Sequence, residues 1–264
     1  MQIIRISRND WKVKITEDDK DKIKFIAREL KDVVDDLKPY EYWKSMKSEK
    51  IWEHIIIQFC VMGSALRIEK LKKDKENYQD FLRKLSIKNL IMQSTSRTQY
   101  ISDQLKKYKA TRFTDKTAER IVKCLKNQGI VKNGKVVLLE DLKSSTEISE
   151  DQIRATLLER CRFFQMKSVS DFMISIGAAK NFIALDTRII GLFKKHFHLN
   201  GDVKPTSIQS NRSLYKAIEK ELVDICADIG INLSTLDRIL FKSSGISAID
   251  YVMEKKYKIG QNIQ

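Results

Sequence analysis

The sequence predicts a mainly α-helical protein with a minor β element, and three observations carry that prediction. Apolar residues recur at i, i+3, i+4 and i+7 in one segment after another, the signature of helices with one buried face. Only 2 prolines and 9 glycines occur in 264 residues, too few for the turn-dense punctuation of an all-β fold. The stretch from Ile51 to Leu66, IWEHIIIQFCVMGSAL, is apolar nearly all round, as expected of a helix in the middle of a domain.

The elements follow in order. Residues 1–16 alternate weakly and predict a short strand or two. From Asp18, a stripe of Ile26, Leu30, Val33 or Val34, and Leu37 predicts a helix that Pro39 ends. After the buried helix, Tyr78 to Leu85 and Thr98 to Tyr108 read as shorter helices. Next, FTDKTAERIVKCLKNQG offers Thr114 or Asp115 as a cap, Ala118, Ile121, Val122 and Leu125 as a stripe, and Gly129 as a left-handed stop. Asn133-Gly134 between two apolar runs is a two-residue hairpin signal. Ser149 and Gln152 form a capping box for a helix carrying Ile153, Leu157, Leu158 and Cys161, which breaks at 163–166. The next helix carries Val169, Phe172, Met173 and Ile176 and stops at Gly177. Asp186 caps one with Ile189, Ile190 and Phe193. A further helix with Leu214, Ile218, Leu222, Ile225 and Ile229 stops at Gly230, and STLDRILF forms the last, ending near Gly245.

Lys and Arg total 50 against 35 Asp and Glu, a net charge of +15. That favours a polyanionic partner such as nucleic acid, the alternative being a lysine-rich solvated surface. The 4 cysteines, Cys60, Cys124, Cys161 and Cys226, are scattered among apolar helix residues with no close pair. They read as core thiols in a reducing compartment rather than metal ligands, and neither a metal nor a cofactor is expected. No apolar run reaches the length of a membrane span, so a soluble intracellular monomer of the cytoplasm or nucleoid is the expectation.

The pattern from Ser149 to Gly177 is helix, tight turn, helix, which can present the second helix's free N–H groups to a phosphate. Lys167 stands at that helix start, where dipole and partial burial both disfavour an ammonium and favour the nucleophilic amine. Asp186 stands at the next helix start, where the dipole favours a carboxylate. An amine near a lasting carboxylate suits attack on a sugar carbon: the base leaves, the carboxylate faces the positive charge on the sugar, and the amine captures C1′ as a Schiff base. Taken singly, a lysine at a helix start is more often a solvated side chain, and a capping aspartate only a cap.

Lys167-Ser168-Val169-Ser170-Asp171-Phe172-Met173-Ile174-Ser175-Ile176-Gly177, followed by Ala184-Leu185-Asp186-Thr187-Arg188-Ile189, resembles the helix-hairpin-helix DNA glycosylases. It is most similar to the archaeal-type 8-oxoguanine DNA glycosylase/AP lyases. HIIIQFC, TDKTAERIVKC and LDRILF extend the likeness over roughly residues 51–241. The resemblance implies two helical subdomains: a central barrel at 51–185 ending in the hairpin and Lys167, and a second made of 1–50 plus 186–264, with the active-site cleft between. It implies a bifunctional glycosylase/AP lyase of base excision repair that removes a damaged purine, 8-oxoguanine above all, from double-stranded DNA. Lys167 and Asp186 would be catalytic, with Gln58, Phe164, Gln165, Met166 and Ser168 at the DNA. Arg162 to Met166 lacks the glycines usual in that hairpin, and the iron–sulfur cysteines of the endonuclease III branch are absent. A non-catalytic helix-hairpin-helix DNA-binding protein and a nucleosidase for modified RNA or free nucleosides are the alternatives.

Overall fold

The computed structural model describes residues 1–261 apart from 8–9, 35–36, 63–64, 94–95, 146, 201–202 and 244–247, and the side chains of 258–261 lie outside that description. Helices dominate, as the periodicity requires. In chain order they are α1 (Glu17–Glu29), α2 (Tyr42–Ser45), α3 (Ser48–Val61), α4 (Leu66–Lys73), α5 (Lys75–Lys84), α6 (Ile87–Met92), α7 (Arg97–Lys107), α8 (Thr114–Lys126), α9 (Glu140–Lys143), α10 (Glu150–Arg160), α11 (Met166–Ser175), α12 (Thr187–His196), α13 (Pro205–Ser210), α14 (Arg212–Ala227), α15 (Leu233–Ser243) and α16 (Ala248–Gln261). Two antiparallel strand pairs complete them: β1 (Gln2–Arg5) with β2 (Trp11–Lys14), and β3 (Val131–Lys132) with β4 (Lys135–Val136).

The chain forms two compact units, residues 41–164 and residues 1–40 with 165–264. In the first, α3 buries Ile51, Trp52, Ile55, Ile56, Phe59 and Cys60, and Trp52 Nε1 donates to Leu85 O at 2.7 Å. The β3–β4 turn has Asn133 and Gly134 at φ 51° and 73°, both left-handed as the Asn-Gly signal requires. In the second, the β1–β2 ribbon packs on α14, and α11, α12, α14 and α15 contribute much of the core beside α1 and the segment after α11. The junction at Phe164/Gln165 assigns α11 and Lys167 to the unit built from both chain ends, where 51–185 had been expected together. The reason lies in the bonds of the segment after α11. Lys180 O accepts from Ser234 N, and Ala184 N donates to Asp237, both on α15.

Three boundary expectations are corrected. The first helix stops at Glu29 and passes into a 3-10 turn, Lys31–Val33. Val33 is exposed and Leu37 half-buried, so the stripe drawn to Leu37 is not a buried face, while residues 35–36 of that span lie outside the described residues. Helix α8 is preceded by Phe113, not capped by Thr114 or Asp115. It ends at Asn127, and Gly129 is not left-handed, whereas Gly177 and Gly230 are, at φ 70° and 69°. The expected stop near Gly245 lies outside the described residues.

Candidate active site

Lys167 is the second residue of α11. Gln165 precedes that helix, its N–H donating to Ser168 Oγ at 2.8 Å while the Ser168 hydroxyl donates back to Gln165 O at 3.1 Å. The face behind Lys167, through Val169, Phe172 and Met173, is fully buried, so the helix start is fixed by packing. The lysine side chain is about a quarter exposed, and its Nζ lies 3.2 Å from Oδ2 of Asp171, one turn on. The dipole is therefore not the only field at Lys167, because an opposite charge faces the ammonium. Within a helix this order, cation first and carboxylate four residues later, is the less favourable one. Helix stability alone gives no reason for it.

Asp171 is shared. Its Oδ1 accepts from Arg238 Nη1 at 3.2 Å, and the same nitrogen lies 3.6 Å from Asp237 Oδ2. Burial pushes the Asp171 carboxyl upward, but the Lys167 ammonium and then the Arg238 guanidinium prevail and hold it well below the usual carboxylate range. Asp237 goes the other way. Burial raises it to about 6, assisted by the Asp171 charge and opposed by Arg238 and the Ala184 N–H, which donates to Asp237 Oδ1 at 2.7 Å.

Asp186 caps α12. Its Oδ1 accepts the N–H groups of Arg188 and Ile189, each at 2.9 Å, and its Oδ2 meets Arg188 Nε at 3.1 Å. The Arg188 guanidinium lies over the Phe241 ring, 3.9 Å from its centroid. The extended segment before the cap is held from three helices. Tyr215 on α14 donates to Ile183 O at 2.6 Å and accepts from Leu185 N at 2.9 Å. Gln209 on α13 donates to Leu185 O at 2.9 Å, and Asp237 on α15 anchors Ala184.

No direct bond joins Lys167 to Asp186, yet both lead to α15. Lys167 reaches it through Asp171 and Arg238, and Asp186 through Arg188 and Phe241. Asp237, Arg238 and Phe241 stand at i, i+1 and i+4, on one face of that helix. Sequence reasoning singled out Lys167 and Asp186 but missed Asp171, Arg238 and Asp237. The i+4 carboxylate after Lys167 was a local signal that could have found Asp171.

Of the five residues expected at DNA, four have buried side chains. Gln58 is 4 % exposed on α3, and Phe164, Met166 and Ser168 are buried too, leaving Gln165 exposed. Phe164 packs beside Phe59, with ring centroids 6.3 Å apart; its neighbour Phe163, edge-on to Phe59 at 5.9 Å, is half-exposed, and Arg162 is exposed. Among the described residues no group of three or more His, Cys, Asp or Glu is placed to hold a metal, and no helix is long and apolar enough to cross a membrane.

Comparison with solved structures gives the 8-oxoguanine glycosylase/lyase of Methanocaldococcus jannaschii, in complex with a 15mer DNA containing 8-oxoguanine. It has 19% identity and TM-score 0.62 over 86% of this chain and 97% of that one. The 8-oxoguanine DNA glycosylase of Thermotoga maritima aligns with 17% identity and TM-score 0.55 over 84% of this chain and 93% of that one. Both share the fold. Comparison with curated protein sequences gives no match. The family profile for 8-oxoguanine DNA glycosylase matches residues 33–231. The chain belongs to the 8-oxoguanine DNA glycosylase family.

Proposed function

We propose that this protein excises 8-oxoguanine from duplex DNA as a bifunctional glycosylase/AP lyase, with Lys167 as nucleophile and Asp186 as the anion facing the sugar. The observation that carries the reading is that the two helix starts bearing Lys167 and Asp186 are both tied to one face of α15. In this reading the neutral Nζ adds to C1′ as the C1′–N9 bond breaks, its electron pair leaving with the base. A proton passes from Nζ to the departing base. The C1′–O4′ bond then opens with a proton going to O4′, leaving a protonated Schiff base between C1′ and Nζ. Loss of a proton from C2′ expels the 3′ phosphate, which is the lyase step. Positive charge gathers on the sugar as the base departs, and the Asp186 carboxylate would stabilise it. The exposed Gln165 and the start of α11 would meet the DNA backbone. Extruding the base costs a few kcal/mol, offset by backbone and pocket contacts.

Borohydride trapping on duplex DNA containing 8-oxoguanine tests this. Wild type is expected to give a covalent adduct and Lys167→Ala none. An adduct that survives Lys167→Ala, or its absence from wild type on both lesion and abasic duplexes, sinks the Schiff-base reading.

A further inference from the structure

The charged groups next to Lys167 have no place in the mechanism above, and their arrangement is unusual. Asp171 sits 3.2 Å from Lys167 Nζ through one oxygen and 3.2 Å from Arg238 Nη1 through the other, with Asp171 and Arg238 largely buried at 15 % and 14 % exposure. A carboxylate so placed fixes where Nζ points, because the lysine's four-carbon stem otherwise samples many rotamers. Arg238 fixes the carboxylate in turn, from a helix 67 residues further along the chain. Asp237, the residue before it on α15, lies 3.6 Å from the same Arg238 nitrogen and holds the Ala184 backbone two residues before Asp186.

We propose that Asp171 and Arg238 form a positioning pair for Lys167, in which Asp171 aims the amine and Arg238 takes up part of the Asp171 charge so that the lysine is not locked in its ion pair. The pair rests on the reading of Lys167 as nucleophile. Asp171 is not the base that receives the lysine's proton, since two cations keep its carboxyl ionised. Its influence is electrostatic and geometric. Among the described residues, the charged groups facing Lys167 and its partner include Asp171 on α11 and Arg238 and Asp237 on α15. Helix α13, which also packs on α11, carries no ionisable side chain.

The two halves of the pair predict opposite effects on one readout. On an abasic duplex, borohydride trapping isolates Schiff-base formation from base release, and its rate falls on the acid side as the amine becomes protonated. Asp171→Asn removes the carboxylate's hold on the ammonium and is expected to move that acid limb to lower pH. Arg238→Gln removes a cation that shares the Asp171 charge with the lysine and is expected to move the limb to higher pH. A merely structural role would lower the rate at every pH and leave the limb in place. Should Asp171→Asn not fold, Asp171→Glu carries the test. It keeps the charge but shifts the carboxylate, so the limb is expected to stay while trapping slows by about tenfold or more. Limbs unmoved in both Asp171→Asn and Arg238→Gln, or moved in the same direction, overturn the pairing, as does an Asp171→Glu protein that traps at the wild-type rate. Lys167→Ala run alongside separates the two failures. Trapping that survives it overturns the nucleophile assignment, whereas its loss beside unmoved limbs overturns only the pair.

Discussion

At Asp186 the helix cap and the negative charge reside in one carboxylate, and substitution can separate them. Asn caps as well as Asp does, so Asp186→Asn is expected to keep the bonds to the Arg188 and Ile189 amides while losing the charge. Base excision from an 8-oxoguanine duplex should fall about a hundredfold or more, with thermal stability close to wild type. Asp186→Ala should lose the same activity and, in addition, about 1 kcal/mol of stability in urea titrations. An Asn variant as active as wild type would reduce Asp186 to a cap. Asp171 shows why part of the site was hidden at this scale. Its spacing from Lys167 is plain in the sequence, but Arg238, which makes the carboxylate a shared ligand of two cations, approaches only through the fold.

Among the elements, the segment from Ala178 to Leu185 depends on its neighbours because it lies in neither a helix nor a strand. Tyr215 serves two of its groups through one hydroxyl. Tyr215→Phe leaves Ile183 O and Leu185 N unpaired in the core and should lower stability by about 1–3 kcal/mol in urea titrations. The trapping rate should fall with it, since this segment carries Asp186; a variant of unchanged stability and rate would remove Tyr215 from the account. Local signals located many elements well. The Ser149–Gln152 capping box, the Asp186 cap, the Asn133-Gly134 turn and the left-handed Gly177 and Gly230 all stand where the sequence put them. The two signals that failed at α8 did so because other side chains engage the groups concerned. Asp115 does not cap α8 because its carboxylate is engaged by Ser102 and by Lys106 Nζ at 3.2 Å, both on α7. Gly129 is not the stop because Asn127 ends the helix, its side chain accepting from Gly129 N at 2.9 Å and donating to Arg160 O at 3.0 Å.

For the molecule as a whole, the helical class followed from periodicity, but the division into units did not. The helix-turn-helix reads as one continuous motif, whereas the partners of residues 165–185 lie near the end of the chain and cannot be seen locally. The charge of +15 makes a prediction at this scale. Affinity for duplex DNA, followed by fluorescence anisotropy, should fall linearly on a log–log plot against salt, with similar slopes for damaged and intact duplexes. A flat plot would mean that the surplus of lysine and arginine is not spent on phosphates. The four cysteines carry a further consequence. All are free and buried, and burial pushes the Cys60, Cys124 and Cys226 thiols up to about 12 and Cys161 well above its ordinary value. Oxidants attack the thiolate, and at neutral pH a thiol of that kind is ionised in only about one molecule in 100,000. Peroxide stress therefore meets cysteines that are buried and held almost entirely in the less reactive thiol form.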